Sequence, residues 1–267
     1  MLGFHPPLEP DEIPYSWLVT YCQLSGLPSA RGLLEQLHIA HYQLASQFPG
    51  YVPFISGQSH VSAHEVIQEH TILPVFQSFL HPKTYSSALA NLETGRASNL
   101  HSRMSLVANR IDSGTVLRAC PACVKSDAKT VGRAWWHVQH QLPGCLVCLK
   151  HSEPLFEVSV HRRDLILPSQ INLQHNDVLI NVDVQLTRLA HDVWRSCTSL
   201  LAYQHITSRY RHRLVEAGFA SHIGAIRQDK LRHALRAYWA TSASPTVQQL
   251  LLDSSYPETL FRAKRAQ

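Results

Sequence analysis

Cys120-Pro121-Ala122-Cys123 and Cys145-Leu146-Val147-Cys148-Leu149-Lys150-His151 are the stretches whose reading decides the fold. A Cys-x-x-Cys turn folds back so that both sulfurs face one ion, and a second such turn completes a tetrahedron with metal–sulfur distances of about 2.3 Å. The ion replaces a hydrophobic core that so short a segment cannot build alone. The second stretch offers two ligand choices. Cys145 with Cys148 gives a four-cysteine site; Cys148 with His151 gives Cys-x2-Cys-x24-Cys-x2-His. Both spacings reach, and a tetrahedral site takes four ligands, so Cys145 and His151 stand as alternatives beside Cys120, Cys123 and Cys148. Either set fills every coordination position. That argues for one structural Zn2+ ion rather than a catalytic one, which needs an open position.

Between the two turns runs Arg133-Ala134-Trp135-Trp136-His137-Val138-Gln139-His140-Gln141-Leu142-Pro143-Gly144. Such rings beside a metal site generally pack to enlarge a small core, though exposed tryptophans also stack on bases. His137 and His140 read as satisfied or solvated histidines; the sharper alternative is support of a metal ligand or contact with a phosphate. The other two cysteines, Cys22 and Cys197, sit among apolar neighbours and read as buried small hydrophobes.

The flanks of this module are helical in pattern. Residues 1–14 carry Pro6, Pro7, Pro10 and Pro14 and read as an extended arm. A helix over about 15–25 follows, with Tyr15, Leu18, Val19 and Cys22 on one face. Gly26 and Pro28 end it. Ser29 can cap a second helix from Arg31 to about Ala45, with Leu33, Leu34, Leu37 and Tyr42 inward. Pro49-Gly50 and Pro53 mark a loop. Ser62-Ala63-His64-Glu65 fits a capping box and predicts a helix to about His70. The apolar stretch Thr71–Phe79 follows, and another helix covers Tyr85–Leu92. Short strand-like runs occupy 115–157, and 158–185 reads as an irregular connector. From Leu186 the helical period returns, with Leu186, Leu189, Ala190, Val193, Trp194 and Cys197 on one face. Ile206, Tyr210, Leu214 and Ala217 continue it to Gly218. A last helix runs from about Gln228 to Trp239, with Leu231, Leu235 and Tyr238 inward.

The expected fold is mainly α with a small zinc-ribbon or zinc-finger module, flanked by helix-turn-helix-like units. Its expected divisions are an N-terminal helical domain, 1–110, a zinc-finger module, 111–160, and a basic C-terminal helical region, 161–267. With 267 residues, 45% of them hydrophobic, the chain can bury a sizeable core. No apolar run approaches the ~20 residues of a membrane span, and the start lacks the pattern of a signal peptide, so the expected location is the cytoplasm. The net charge of +5 permits nucleic-acid contact without demanding it. Its distribution says more. Gln204–Trp239 holds Arg209, Arg211, Arg213, Arg227, Lys230, Arg232 and Arg236 against only Glu216 and Asp229. Two helices joined by an Ala220–Arg227 turn, with these cations outward, fit a helix-turn-helix variant whose arginines contact phosphates or base edges. The chain has no Walker loop, dinucleotide glycine pattern, serine nucleophile elbow or spaced acidic triad.

Several segments together resemble one family. Cys120-Pro121-Ala122-Cys123, Trp136, His140-Gln141-Leu142-Pro143-Gly144 and Val147-Cys148-Leu149-Lys150-His151-Ser152-Glu153-Pro154-Leu155 resemble the metal motif of the TniQ/TnsD family. So does the opening Pro7-Leu8-Glu9-Pro10-Asp11-Glu12-Ile13-Pro14-Tyr15-Ser16-Trp17-Leu18, and so does His70-Thr71-Ile72-Leu73-Pro74-Val75-Phe76. Tyr210-Arg211-His212-Arg213-Leu214-Val215-Glu216-Ala217-Gly218-Phe219 is similar to the TnsD-like branch. The resemblance implies Cys120, Cys123, Cys148 and His151 as ligands, since relatives usually carry an apolar residue in place of Cys145. It also implies a non-enzymatic role in choosing the insertion site of a transposon. Such proteins bind attachment-site double-stranded DNA or dock on an RNA-guided CRISPR effector complex, and they recruit the AAA+ ATPase TnsC. Chains of the TnsD-like branch extend further beyond the Tyr210–Trp239 region than this sequence does.

Overall fold

Trp17 is fully buried on helix α1 (Pro14–Leu24). The pattern Tyr15, Leu18, Val19, Cys22 predicts one apolar face, yet every residue from Pro14 to Cys22 is buried. A helix covered on all sides is a core helix. Trp17 stacks on Tyr21 with ring centres 5.4 Å apart and meets the edge of Phe54. Its indole donates to the Pro6 carbonyl at 2.9 Å, pinning the extended arm to the core. The computed structural model describes residues 5–26, 32–33, 35, 44–45, 47–104, 116–161, 164–171, 181–195, 203–223 and 225–242.

Of the expected second helix, Leu33, Leu44 and Ala45 are described and buried, whereas Leu34, Leu37 and Tyr42 lie outside the described residues. The loop expected around Pro49-Gly50 and Pro53 is shorter than the prolines suggest. Helix α2 (Val52–Ser59) starts there with Pro53 in its first turn, where its missing N–H has no helical partner to lose. Gly95 explains the close packing nearby: at φ +74° it brings its backbone so near Gly50 that a Cβ would lie 2.8 Å from the Gly50 carbonyl. Helix α3 (Ala63–His70) begins as the capping pattern predicts, with the Glu65 amide donating to Ser62 Oγ at 3.1 Å. A 3-10 turn (Leu73–Phe76), helix α4 (Pro82–Glu93) and the single turn α5 (Leu100–Arg103) complete the N-terminal half.

Strand β1 (Val116–Ala119) leads straight into helix α6 (Pro121–Val131), which the cysteine spacing does not foretell. Gly132, at φ +84°, ends that helix. A short turn α7 (Val138–Gln141) precedes β2 (Val147–Cys148), β3 (Glu153–Pro154) and β4 (Phe156–Ser159). β1 pairs antiparallel with β4, and β2 with β3. Another 3-10 turn (Pro168–Gln170) and helices α8 (Asn181–Arg195), α9 (Tyr203–Glu216) and α10 (Gln228–Ser242) follow. The fold is mainly helical. One continuous core of buried side chains runs from Ile13 through Leu92, Cys120 and Trp136 to Ala190.

Among the described residues, four apolar residues expected to face inward do not, Ala217 being one of them. Leu189, Tyr210 and Tyr238 are each more than half exposed. On α8 the buried line is instead Thr187, Ala190 and His191, because the surface it covers presents backbone amides and a thiol. Among the described side chains α9 and α10 bury little beyond Leu231, so Tyr210 and Tyr238 stay at the surface. Cys22 is buried as expected; Cys197 lies outside the described residues. Among the described residues no helix is long and apolar enough to cross a membrane.

Candidate metal centre

Cys120 is the residue before the first turn of α6, with an extended backbone, and Cys123 lies one turn further on. Their sulfurs therefore converge at a helix start rather than on a hairpin. Cys148 ends β2, and the chain then reverses: the Ser152 amide donates to the Cys148 carbonyl at 2.7 Å, with Ser152 at φ +56°. That reversal swings His151 back over the three sulfurs. Its Nδ1 lies 3.5 Å from Cys120 Sγ, 3.3 Å from Cys123 Sγ and 3.6 Å from Cys148 Sγ. Cys123 and Cys148 are 3.7 Å apart, and all four ligand atoms fall within 4.8 Å of one another.

These lengths can be compared with a tetrahedron. With metal–sulfur bonds of about 2.3 Å and a metal–nitrogen bond of about 2.0–2.1 Å, the S–S edges are about 3.8 Å and the S–N edges about 3.5 Å. The four side chains thus fit one ion of zinc's size and can hold it. The close approach of the sulfurs also drives their acidities apart. The Cys148 thiol is pulled far below its usual range by hydrogen bonds from Cys120 and then Cys123, with His140 contributing. Cys123 is pushed up by Cys120 and Cys148. Cys120 is raised as well, to about 11, and binding a cation requires all three sulfurs to release their protons.

Cys145, the alternative ligand, faces elsewhere. Its sulfur donates to the Val147 carbonyl at 3.6 Å and lies 3.7 Å from His191 Nε2. Burial pushes its pKa up to about 12, so it stays a thiol. His140 lies just outside the ligand set, 95% buried, with Nε2 3.9 Å from Cys123 Sγ. That is the placement of a second layer that orients a ligand sulfur.

The segment between the turns is clamped to the N-terminal arm. Arg133 makes two bonds to the wholly buried Glu12, at 2.6 and 2.8 Å. Asp11, at φ +62°, binds His137 Nδ1 at 3.1 Å through one oxygen and accepts from the Gln139 amide through the other. Asp127 holds His137 Nε2 at 2.8 Å. His137 thus bridges two carboxylates and is neither solvated nor free for a phosphate. Trp136 is fully buried, with its amide on Ser16 Oγ and its indole on the Ile166 carbonyl. Trp135 is 7% exposed under the Arg133 guanidinium. Both rings pack, leaving neither face open to a base. Spacing gave no signal for these long-range pairs.

The seven basic residues read from the sequence lie on α9, α10 and the turn between them. All are exposed except the half-buried Arg232. Arg213 pairs with Glu216 at 3.2 Å and Arg232 with Asp229 at 3.3 Å. Arg227 and Lys230 both reach the Gly218 carbonyl at the end of α9. The turn is closed by the Ser221 amide on the Ala225 carbonyl and by a bridge between Ala220 and Ile226.

A search of curated proteins returns no match. The TniQ family model matches residues 3–155, from the extended arm through the last ligand and strand β3. That span contains Glu12, Arg133 and all four ligand side chains, and it covers more than half of the sequence. The chain belongs to the TniQ family.

Proposed function

We propose that this protein is a non-enzymatic target-site selector of the TnsD-like branch. In this reading it binds attachment-site double-stranded DNA through α9, α10 and their turn, and it recruits the AAA+ regulator TnsC. Family membership places it among the accessory proteins of transposition, in target selection or as an adaptor. The choice of direct DNA binding is carried by one observation: the basic surface on α9 and α10. Seven cations face two carboxylates there, a local excess as large as the charge of the whole chain. In this reading Arg209, Arg211, Arg213, Arg227, Lys230 and Arg236 contact phosphates, and Arg232, half-covered, positions α10. The ion is Zn2+, which three sulfurs and one imidazole suit, and its role is structural.

The adaptor reading is favoured by a different observation. The matched span, 3–155, stops before α9, so the feature that defines the family is not the basic surface. As an adaptor, the chain holds TnsC and a CRISPR effector complex with little DNA affinity of its own.

Fluorescence anisotropy with a labelled duplex separates the two. A DNA binder gives log affinity falling linearly with log salt. Neutralising Arg209, Arg211, Arg213, Arg227, Lys230 and Arg236 to glutamine then abolishes binding. Unchanged affinity in that variant, together with capture of TnsC that survives nuclease, supports the adaptor instead.

A further inference from the structure

Cys145 is the member of the cysteine group that the metal leaves unused, and its surroundings give it another task. The turn from Cys145 to Cys148 is engaged on both sides. On one side Cys148 joins Cys123 and His151. On the other, Cys145 Sγ meets His191 Nε2 of α8 at 3.7 Å. Between them, the amides of Leu146 and Val147 both donate to Thr187 Oγ1, at 3.0 and 3.3 Å. Thr187 is wholly buried and His191 is 4% exposed. α8 therefore closes on this turn with polar groups. Buried polar groups hold an element in place only while their partners stay aimed at them.

An ion held by Cys120, Cys123, Cys148 and His151 would aim those partners. The β2–β3 ladder has two residue pairs, Val147 with Pro154 and Cys148 with Glu153, and a ladder that short does not hold itself together in water. Fixing Cys148 and His151 to a metal fixes both ends of the reversal, and with it the amides of Leu146 and Val147. The far half of α8 is anchored differently: Val193 and Trp194 pack against the apolar core.

We propose that metal occupancy and the docking of the Thr187–His191 turn of α8 are thermodynamically coupled through the Cys145–Cys148 turn. Cys148 senses the ion, and Cys145 with the two amides passes its order to His191 and Thr187. α8 precedes the basic helices α9 and α10 in the chain, so the ion sets the footing of the segment that leads to them. Coupling is reciprocal. Loosening α8 must weaken the ion by the factor by which the ion tightens α8, on the order of 10-fold for groups one layer out from a metal.

The test is hydrogen exchange on the full chain, zinc-loaded and chelator-stripped, with zinc affinity measured by chelator competition. Stripping is expected to raise exchange in 184–191 as well as in 145–155, while α1 keeps its protection. In zinc-loaded protein, Thr187→Val and Cys145→Ala are each expected to raise exchange in 184–191. Both retain one equivalent of zinc at about 10-fold lower affinity. Retention of full protection in 184–191 after stripping, while 145–155 loses it, overturns the coupling. So does unchanged zinc affinity in Thr187→Val, which decides the matter even if the stripped chain unfolds as a whole. Loss of zinc in Cys145→Ala as complete as in Cys148→Ala makes Cys145 a ligand and also overturns it.

Discussion

Glu12 and Arg133, 121 residues apart in sequence, form a two-pronged ion pair at 2.6 and 2.8 Å, with Glu12 fully buried. The pair ties the N-terminal arm to the chain leaving α6, between the two halves of the metal centre. Burial raises the Glu12 carboxyl above its ordinary value while Arg133 pulls it down. A buried ion pair adds little net stability, but deleting one partner leaves an uncompensated charge. Glu12→Ala and Arg133→Ala are each expected to lower unfolding stability by about 3–5 kcal/mol. Urea denaturation checks this, and a cost under about 1 kcal/mol would place the pair with surface ion pairs.

His137 gives the fold a dependence on alkaline pH. Burial opposes its charge, but Asp11 and Asp127 outweigh it and raise its pKa to about 9, from an ordinary 6.5. The folded state binds the proton more tightly than the unfolded state. The stabilisation is therefore complete below about pH 6.5 and lost as pH rises through about 9. Melting temperature should fall between pH 7 and pH 9.5, and His137→Gln should flatten that fall. An identical slope in the variant removes His137 as the cause.

His140 is expected to act on the metal without touching it. Its Nε2 lies 3.9 Å from the Cys123 sulfur, so His140→Ala should cost about 10- to 100-fold in zinc affinity. His140→Gln, which places an amide N–H near the Nε2 position, should recover part of it. Equal affinity in wild type and both variants would make the contact incidental.

How much of this the sequence discloses depends on the range of each interaction. The Ser62 cap is local, four residues hold all its chemistry, and the structure has the serine half of the expected box, the Glu65 amide on Ser62 Oγ. The Cys120–Cys123 and Cys148–His151 spacings are likewise local and place four ligand atoms together. The choice between Cys145 and His151 is only half local: both spacings reach, the reversal at Ser152 turns His151 onto the sulfurs, and α8, covering the other side of the turn, faces Cys145. The same packing explains why Leu189 faces solvent while His191 is buried. Apolar periodicity finds a buried face only where the surface it meets is apolar, and here that surface offers two amides and a thiol. Glu12 with Arg133, and His137 with its two aspartates, join parts of the chain more than a hundred residues apart in all but one case, beyond the reach of any spacing rule.

The most direct test of the account is cobalt substitution of the purified chain, read by its visible and thiolate charge-transfer absorption. One tetrahedral Co2+ with three sulfur ligands is predicted, the spectrum unchanged in Cys145→Ala and lost or altered in Cys120→Ser, Cys123→Ser, Cys148→Ser and His151→Ala. A four-thiolate spectrum that changes in Cys145→Ala and survives His151→Ala would contradict it.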